Sequence, residues 1–320
     1  MTPQWNRREF GLGLGCIGMA FACGHTSFAG SEKAKFGYGF SLYGMKSLPL
    51  TKAIATCEEI GYDSVELPAM VDWPGAAETL STEDRKRLRS QLDAIPMKLS
   101  AIMENLPLLA ERSIHEKNLD RLKKAAELAQ DLDPKTPPPI ETVMGGKPGE
   151  WEKVKQQMVE RLGAWAEALA GSPSKLAIKA HVSGAAHRPE HIQWLLQQVN
   201  HPSLKAAFDF SHFQLRGLDL TECWNALEKD VVFIHIKDSI GDLDKFRFVL
   251  PGEGSINYES YLKLLDEKNC RVDITVEVSG QVHSQPGYDP IMAAKKSYTA
   301  IAPIMKQLGI ERPRTNPGRQ

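Results

Sequence analysis

The feature that most limits the fold is an alternation, running from Lys35 to the region of Gln307, of short apolar runs with longer amphipathic ones. Short runs bounded by turn residues read as strands, and longer runs with helical periodicity read as helices. The strand candidates are Phe36–Ser41, Ser64–Leu67, Lys98–Met103, Ile140–Met144, Lys175–His181, Lys205–Asp209, Val231–Lys237 and Asp273–Ser279. Helices are expected over Leu50–Ile60, Thr82–Ala94, Glu116–Asp131, Glu150–Ala170, Pro189–Val199, Leu220–Leu227, Tyr258–Glu267 and Pro290–Gln307. Strands that each lead into a helix make a parallel α/β fold, and this count is that of a closed (β/α)8 barrel.

Boundary residues agree with that reading. Ser81 precedes an acidic first turn, Glu83 and Asp84, which suits a helix N-terminus. Pro189 falls at a first helical turn, where its missing N–H is not needed. Gly61 is placed as a left-handed cap. The stretch Asp133-Pro-Lys-Thr-Pro-Pro-Pro139 reads as a stiff connection. Residues 35–308 are thus expected to form one barrel domain, and 309–320, rich in Pro, Arg and Gly, a loose tail.

The chain has 320 residues and a formal net charge of −1, so it lacks the basic surface that nucleic acid requires. No apolar run after the N-terminus is long enough to span a bilayer. Residues 1–29 read as a targeting segment. Arg7-Arg8 leads an apolar, Gly-rich stretch from Phe10 to Cys23, and Ser27-Phe28-Ala29 offers small residues for cleavage. This resembles a twin-arginine export signal, which places the mature protein in the periplasm or otherwise outside the cytoplasm. Cys57, Cys223 and Cys270 remain after that segment. They are odd in number and lack metal spacing, so they read as small buried hydrophobes.

Side chains alternate across a strand with period two. In the fifth strand Ala177, Lys179 and His181 share a face opposite Leu176, Ile178 and Ala180. In the seventh, Phe233, His235 and Lys237 oppose Val232, Ile234 and Ile236. In the eighth, Asp273, Thr275, Glu277 and Ser279 oppose Ile274, Val276 and Val278. The apolar faces must pack on helices, so the polar ones point into the barrel. Polar interior residues are costly unless partnered, and their crowding near strand ends marks a site at the C-terminal face. Asp209, His235 and Glu277 come from three successive strands. Two carboxylates and an imidazole suit a divalent ion such as Mn, Mg, Co or Zn. The competing reading is a set of buried salt bridges, for instance Lys179 with Glu277 or Asp209.

Asp209-Phe-Ser-His212, His235-Ile-Lys-Asp238, Pro251-Gly-Glu-Gly254 and Val276-Glu-Val-Ser279 together resemble the sugar phosphate isomerase/epimerase group of xylose-isomerase-like TIM barrels. The resemblance implies an ion held by Glu, Asp, His and Glu from strands five to eight. Asp209, His235 and Glu277 match three of these positions, and Lys179 stands at the first. An ammonium has no lone pair to give a metal. His181, on the same face, offers a replacement ligand or a contact to substrate.

The resemblance implies a small carbohydrate substrate bearing a carbonyl. Glu277 is then the base and Lys179 the acid or oxyanion stabiliser, with isomerisation, epimerisation, or elimination and hydration as the reactions. His212, Lys237 and Arg247 are further candidates to contact substrate, and Asp238 either orients Lys237 or caps the following turn. Glu66 ends the second strand as either a site residue or a salt-bridge partner. Phe40, Tyr43 and Trp73 are candidates to stack on a sugar ring. Burial near an ion is expected to lower the pKa of Lys179, and a nearby carboxylate to oppose that. The rival reading of the whole chain is a carbohydrate-binding barrel without chemistry. An endonuclease-like activity fits worse, because it needs more histidines and a basic groove.

Overall fold

The computed structural model describes residues 36–95 and 97–313, so the expected export segment lies outside the described residues. The strands are β1 (Tyr38–Ser41), β2 (Ser64–Pro68), β3 (Lys98–Met103), β4 (Ile140–Val143), β5 (Leu176–Lys179), β6 (Leu204–Asp209), β7 (Val231–Ile236), β8 (Asp238–Gly241), β9 (Phe246–Val249) and β10 (Ile274–Val276). Eight of them close a parallel barrel in the order β1-β10-β7-β6-β5-β4-β3-β2, while β8 and β9 form an antiparallel hairpin outside it. This is the expected (β/α)8 architecture. The hairpin was not foreseen. No helix among the described residues is long and apolar enough to cross a membrane.

The barrel has two layers of packing. Outward-facing Leu176, Ile178, Ile234, Ile236, Ile274 and Val276 are buried against the surrounding helices. Inside, Ala101, Ala177, Ala207 and Phe233 form a separate small cluster. Small alanines on three strands leave room for the one large ring of Phe233, which fills the barrel below the polar site. The strand alternation read from the sequence is therefore the alternation between these two layers.

Helix ends follow their local chemistry. Ser81 Oγ accepts the Asp84 N–H at 3.1 Å, and the Asp84 carboxylate accepts the Ser81 N–H at 3.1 Å, a reciprocal cap for Thr82–Ala94. Gly61 ends the first α-helix at φ 109°, as expected. Pro189 opens its helix, and Asn200 closes it in the left-handed region. Cys57, Cys223 and Cys270 are free and buried. Phe40 is a correction: it lies in β1, is 0% exposed and packs on Tyr62, so it cannot reach a ligand. The tail also departs from expectation at its start. Ile310 is buried, and Arg312 donates to Asp63 at 2.6 Å, so the chain is held past residue 309.

Candidate active site

Register sets the site. Asp209 pairs directly with His235 across β6 and β7, and Thr275 of β10 pairs with His235 on its other side. A register shift between Ala206 and Ala207 brings Asp209 level with the imidazole. Lys179 ends β5, Lys237 follows β7, and Glu277 follows β10. All lie at the C-terminal ends of their strands, where barrel sites are built.

Two lysines bind this cluster together. Lys179 Nζ lies 2.7 Å from His235 Nδ1, 3.1 Å from Glu277 Oε2 and 3.1 Å from Glu141 Oε1. Lys237 Nζ donates to Asp209 Oδ2 and, at 2.7 Å, to the same Glu277 Oε2. His235 Nε2 lies 2.9 Å from Glu66 Oε2. Asp209 is further fixed by Ser211 Oγ, which donates at 2.6 Å. The buried salt bridges weighed as an alternative from the sequence are thus present, Lys179 with Glu277 among them. Glu66 belongs to the cluster, as a fully buried partner of His235.

Burial disfavours an imidazolium at His235, yet Glu66 and Glu277 outweigh it and push its pKa up to about 9; against that charge, the 2.7 Å contact between Lys179 Nζ and His235 Nδ1 has room for a single proton. It belongs to Lys179, which donates to His235 Nδ1 and to Glu277 Oε2 and pairs by charge with Glu141. His235 then keeps its proton at Nε2 for Glu66. Burial alone would lower the Lys179 pKa. Glu141, Glu277, Asp209 and Glu66 outweigh burial and raise it, so of the two opposed effects expected at this residue the carboxylates prevail. Glu277 is held well below the usual carboxylate range, because Lys179 and Lys237 overcome the burial that would raise it. Burial raises Glu141, with Lys179 opposing.

Only part of the cluster is open. The Glu277 side chain is 14% exposed, whereas Lys179 and Lys237 are 3% and 2%. Partly exposed His181 has its pKa pushed down to about 4 by burial and by Lys237 and Lys179, so it is neutral near pH 7. Its Nδ1 accepts the Ser183 N–H at 3.2 Å, which leaves an N–H at Nε2 for a ligand oxygen. His212 is buried, accepts the Val182 N–H at 3.2 Å and lies 4.3 Å from the His181 ring, tilted 45° to it. It packs the floor beneath His181 and has almost no surface of its own to offer. Tyr43 stacks on Trp73 at 4.7 Å, and both meet the His283 ring edge-on, forming an aromatic wall from the segments that follow β1, β2 and β10.

Other expected residues fall elsewhere. Arg247 stands exposed on β9 and takes no part in the contacts of this cluster. Asp238 is a cap: its carboxylate accepts the N–H groups of Ser239, Gly252 and Ile256 at 2.9, 3.1 and 3.0 Å. Glu141 is the residue that the sequence reading passed over. The same period-two argument applied to Ile140-Glu-Thr-Val would have placed it inside.

By distance, two sets could hold an ion: Asp209, His235 and Glu277, or Glu66, Glu141 and His235, each with ligand atoms within 4.8 Å of one another. By occupancy the first set does not fit one as it stands. An ammonium already sits on Asp209 Oδ2, on Glu277 Oε2 and on His235 Nδ1.

A closed barrel with a polar cluster at its C-terminal mouth defines an enzyme-like TIM barrel. The family model described as "Xylose isomerase-like TIM barrel" matches residues 54–298, and the chain belongs to that family. No curated protein matches the chain. Among solved structures, it resembles the IOLI protein with a bound zinc atom at 19% identity and TM-score 0.69, covering 85% of this chain and 99% of that one. It resembles the probable 3-DHS dehydratase AsbF of Bacillus anthracis at 18% identity and TM-score 0.67, covering 82% and 97%. It resembles the 3-keto-D-glucoside 4-epimerase YcjR of E. coli at 10% identity and TM-score 0.65, covering 82% and 98%. At these identities the likeness establishes the shared fold.

Proposed function

We propose that this protein is an enzyme that moves a proton at a carbon beside the carbonyl of a small carbohydrate, leading to isomerisation, epimerisation, or elimination and hydration. The observation that carries the reading is Glu277. It is the carboxylate of the cluster that reaches the mouth, and it is flanked by cationic N–H groups and faced by the neutral N–H donor of His181. A proton removed next to a carbonyl leaves an oxyanion, which needs such donors in place beforehand. The named activities of an epimerase and a dehydratase among the structural neighbours support this class of reaction.

In this reading a carbonyl oxygen takes N–H donation from the lysine side of the cluster and from His181. Held by two ammoniums, Glu277 is a weak base at rest. A substrate oxygen that draws an ammonium toward itself frees the carboxylate and raises its basicity, so the base strengthens when substrate is in place. The aromatic wall of Tyr43, Trp73 and His283 offers a face for a sugar ring. The substrate is a free sugar or keto-glycoside, taken up after export by the twin-arginine route.

A second reading, a divalent ion on Asp209, His235 and Glu277, is favoured by the convergence of their ligand atoms and by the zinc in the IOLI protein. It requires both ammoniums to leave those atoms. The reaction class is tested by incubating the protein in deuterium oxide with a panel of keto-sugars and 3-keto-glycosides and reading carbon-bound deuterium by mass spectrometry. Uptake or elimination that Glu277→Gln abolishes is expected. Tight binding of a panel member with neither uptake nor elimination would replace the enzyme with a carbohydrate-binding barrel.

A further inference from the structure

We propose that the ammonium groups of Lys179 and Lys237 are a built-in replacement for the divalent ion, so that the site works without a metal. This rests on reading the cluster as a proton-transfer site for a carbohydrate carbonyl.

The argument begins with atoms. In the set that the family resemblance implies, Asp209, His235 and Glu277 turn ligand atoms toward one another, and on each residue an ammonium engages one of those atoms. Lys179 Nζ covers His235 Nδ1 at 2.7 Å and Glu277 Oε2 at 3.1 Å. Lys237 Nζ covers Asp209 Oδ2 and returns to Glu277 Oε2 at 2.7 Å. The shared oxygen of Glu277 ties the two ammoniums into one unit. A lone pair that accepts an N–H bond cannot also bind a metal.

Charge gives the same answer. Glutamate is the residue that the family resemblance implies at the end of β5. Lysine there changes the local charge from negative to positive, a difference of two, which is the charge that a divalent ion carries. Neither lysine is a surface residue folded in by chance. Both are 2% exposed. Glu141 supports Lys179 from behind at 3.1 Å, and the Phe248 ring lies 4.9 Å over Lys237. Together they fix the two nitrogens with little access for water.

Chemistry follows from the arrangement. An ion polarises a carbonyl and its neighbouring hydroxyl by binding both oxygens. Two linked ammoniums do so when each turns an N–H bond from its protein acceptor to one of the same two oxygens. When Glu277 takes the proton from the adjacent carbon, the C–H electron pair becomes the C=C bond of an enediolate. The carbonyl π pair moves to oxygen, where the ammoniums hold the negative charge. Return of the proton to carbon completes an exchange with no oxidant or cofactor.

The test is calorimetric titration of the full chain with manganese chloride and zinc chloride, beside elemental analysis after expression in metal-supplemented medium. The wild type is expected to show no site tighter than about 1 mM. Lys179→Glu is expected to gain one equivalent of ion, at least about tenfold tighter, and to lose it again when His235→Ala is added. A wild type that keeps one equivalent of ion, released by chelator and absent in Asp209→Ala, overturns the proposal. A folded Lys179→Glu that binds no ion also overturns it, since Lys179 would not then occupy the ion's position. Should Lys179→Glu fail to fold, wild-type melting decides. Indifference to manganese, zinc and chelator supports the proposal, and a rise with metal that Asp209→Ala removes overturns it. None of these readouts uses turnover. Absence of deuterium exchange would therefore remove the proposed reaction and leave this inference standing, and metal binding would do the reverse.

Discussion

Lys179 is where one residue decides most. Its ammonium donates to an imidazole nitrogen and one carboxylate and lies against a second carboxylate in a site almost closed to water. Removing a single partner from a buried ionic group leaves the others uncompensated, at a cost of about 3–5 kcal/mol. Lys179→Met should therefore lower stability as well as turnover. Glu141 gives that loss a pH dependence. Burial raises its folded pKa above the unfolded value, and Lys179 works against the rise. A group shifted upward adds stability below its unfolded pKa and loses it as pH rises through the folded one. Without the lysine that shift grows, so the deficit of Lys179→Met should be small in acid, where Glu141 is protonated, and largest above neutrality. Urea midpoints measured at acidic and neutral pH check this. A deficit independent of pH would mean that lost packing, and not a stranded carboxylate, is responsible. The sequence showed that Lys179, His235 and Glu277 share the interior. It could not show that one oxygen of Glu277 serves two ammoniums, because a contact between β5, β7 and β10 depends on register and barrel closure.

At the scale of the element, strands whose faces alternate cleanly were legible. Leu176–Lys179 and Val231–Ile236 carry a polar and an apolar side, and the barrel needs both. The hairpin of β8 and β9 was not legible. Asp238-Ser-Ile-Gly241 and Phe246-Arg-Phe-Val249 are short and joined by a polar loop, and they pair with each other outside the barrel, so no buried helix-facing stripe marks them. The hairpin nevertheless shapes the site, because Phe248 covers Lys237 and lies 5.0 Å from the His212 ring. Its base is held by Asp238, which gathers backbone N–H groups from the Pro251-Gly-Glu-Gly254 turn and the residues that follow. That geometry explains the second glycine. A Cβ at Gly254 would stand 2.2 Å from Asp238 Oδ1 and 2.5 Å from the Ser239 carbonyl oxygen. Gly254→Ala should push the turn off Asp238, destabilising by about 1–3 kcal/mol. Amide exchange would show the change, with faster exchange at Gly252 and Ile256 expected and unchanged protection telling against the cap.

For the whole molecule, composition sets the two chain ends apart from the barrel, and the described residues bear on the C-terminal one. The Arg7-Arg8 pair makes a direct prediction: replacing both with Lys should leave the precursor in the cytoplasm, seen by fractionation, and unaltered export would remove the twin-arginine reading. The C-terminal end is read differently once its contacts are known. A Pro- and Arg-rich run looks loose by composition, yet Arg312 returns to the barrel. It donates to Asp63 Oδ2 at 2.6 Å, to the Tyr298 hydroxyl at 2.8 Å and to the Gly61 carbonyl. Asp63 is itself buried and accepts the Tyr38 N–H at 2.8 Å. One guanidinium thus joins the entry of β2, the start of β1 and the last helix, where the barrel's first and last elements meet. Arg312→Met strands the buried Asp63 carboxylate and should cost about 3 kcal/mol. The contact lies at the N-terminal ends of the strands, opposite the mouth that holds the polar cluster, so under the proposed function the folded fraction should keep its kcat/KM. Urea unfolding should show a lower midpoint with an unchanged slope, since the surface exposed on unfolding is the same. A truncation after Ile310 should reproduce the loss. A truncated chain that unfolds at the wild-type midpoint would show that the barrel closes without its tail.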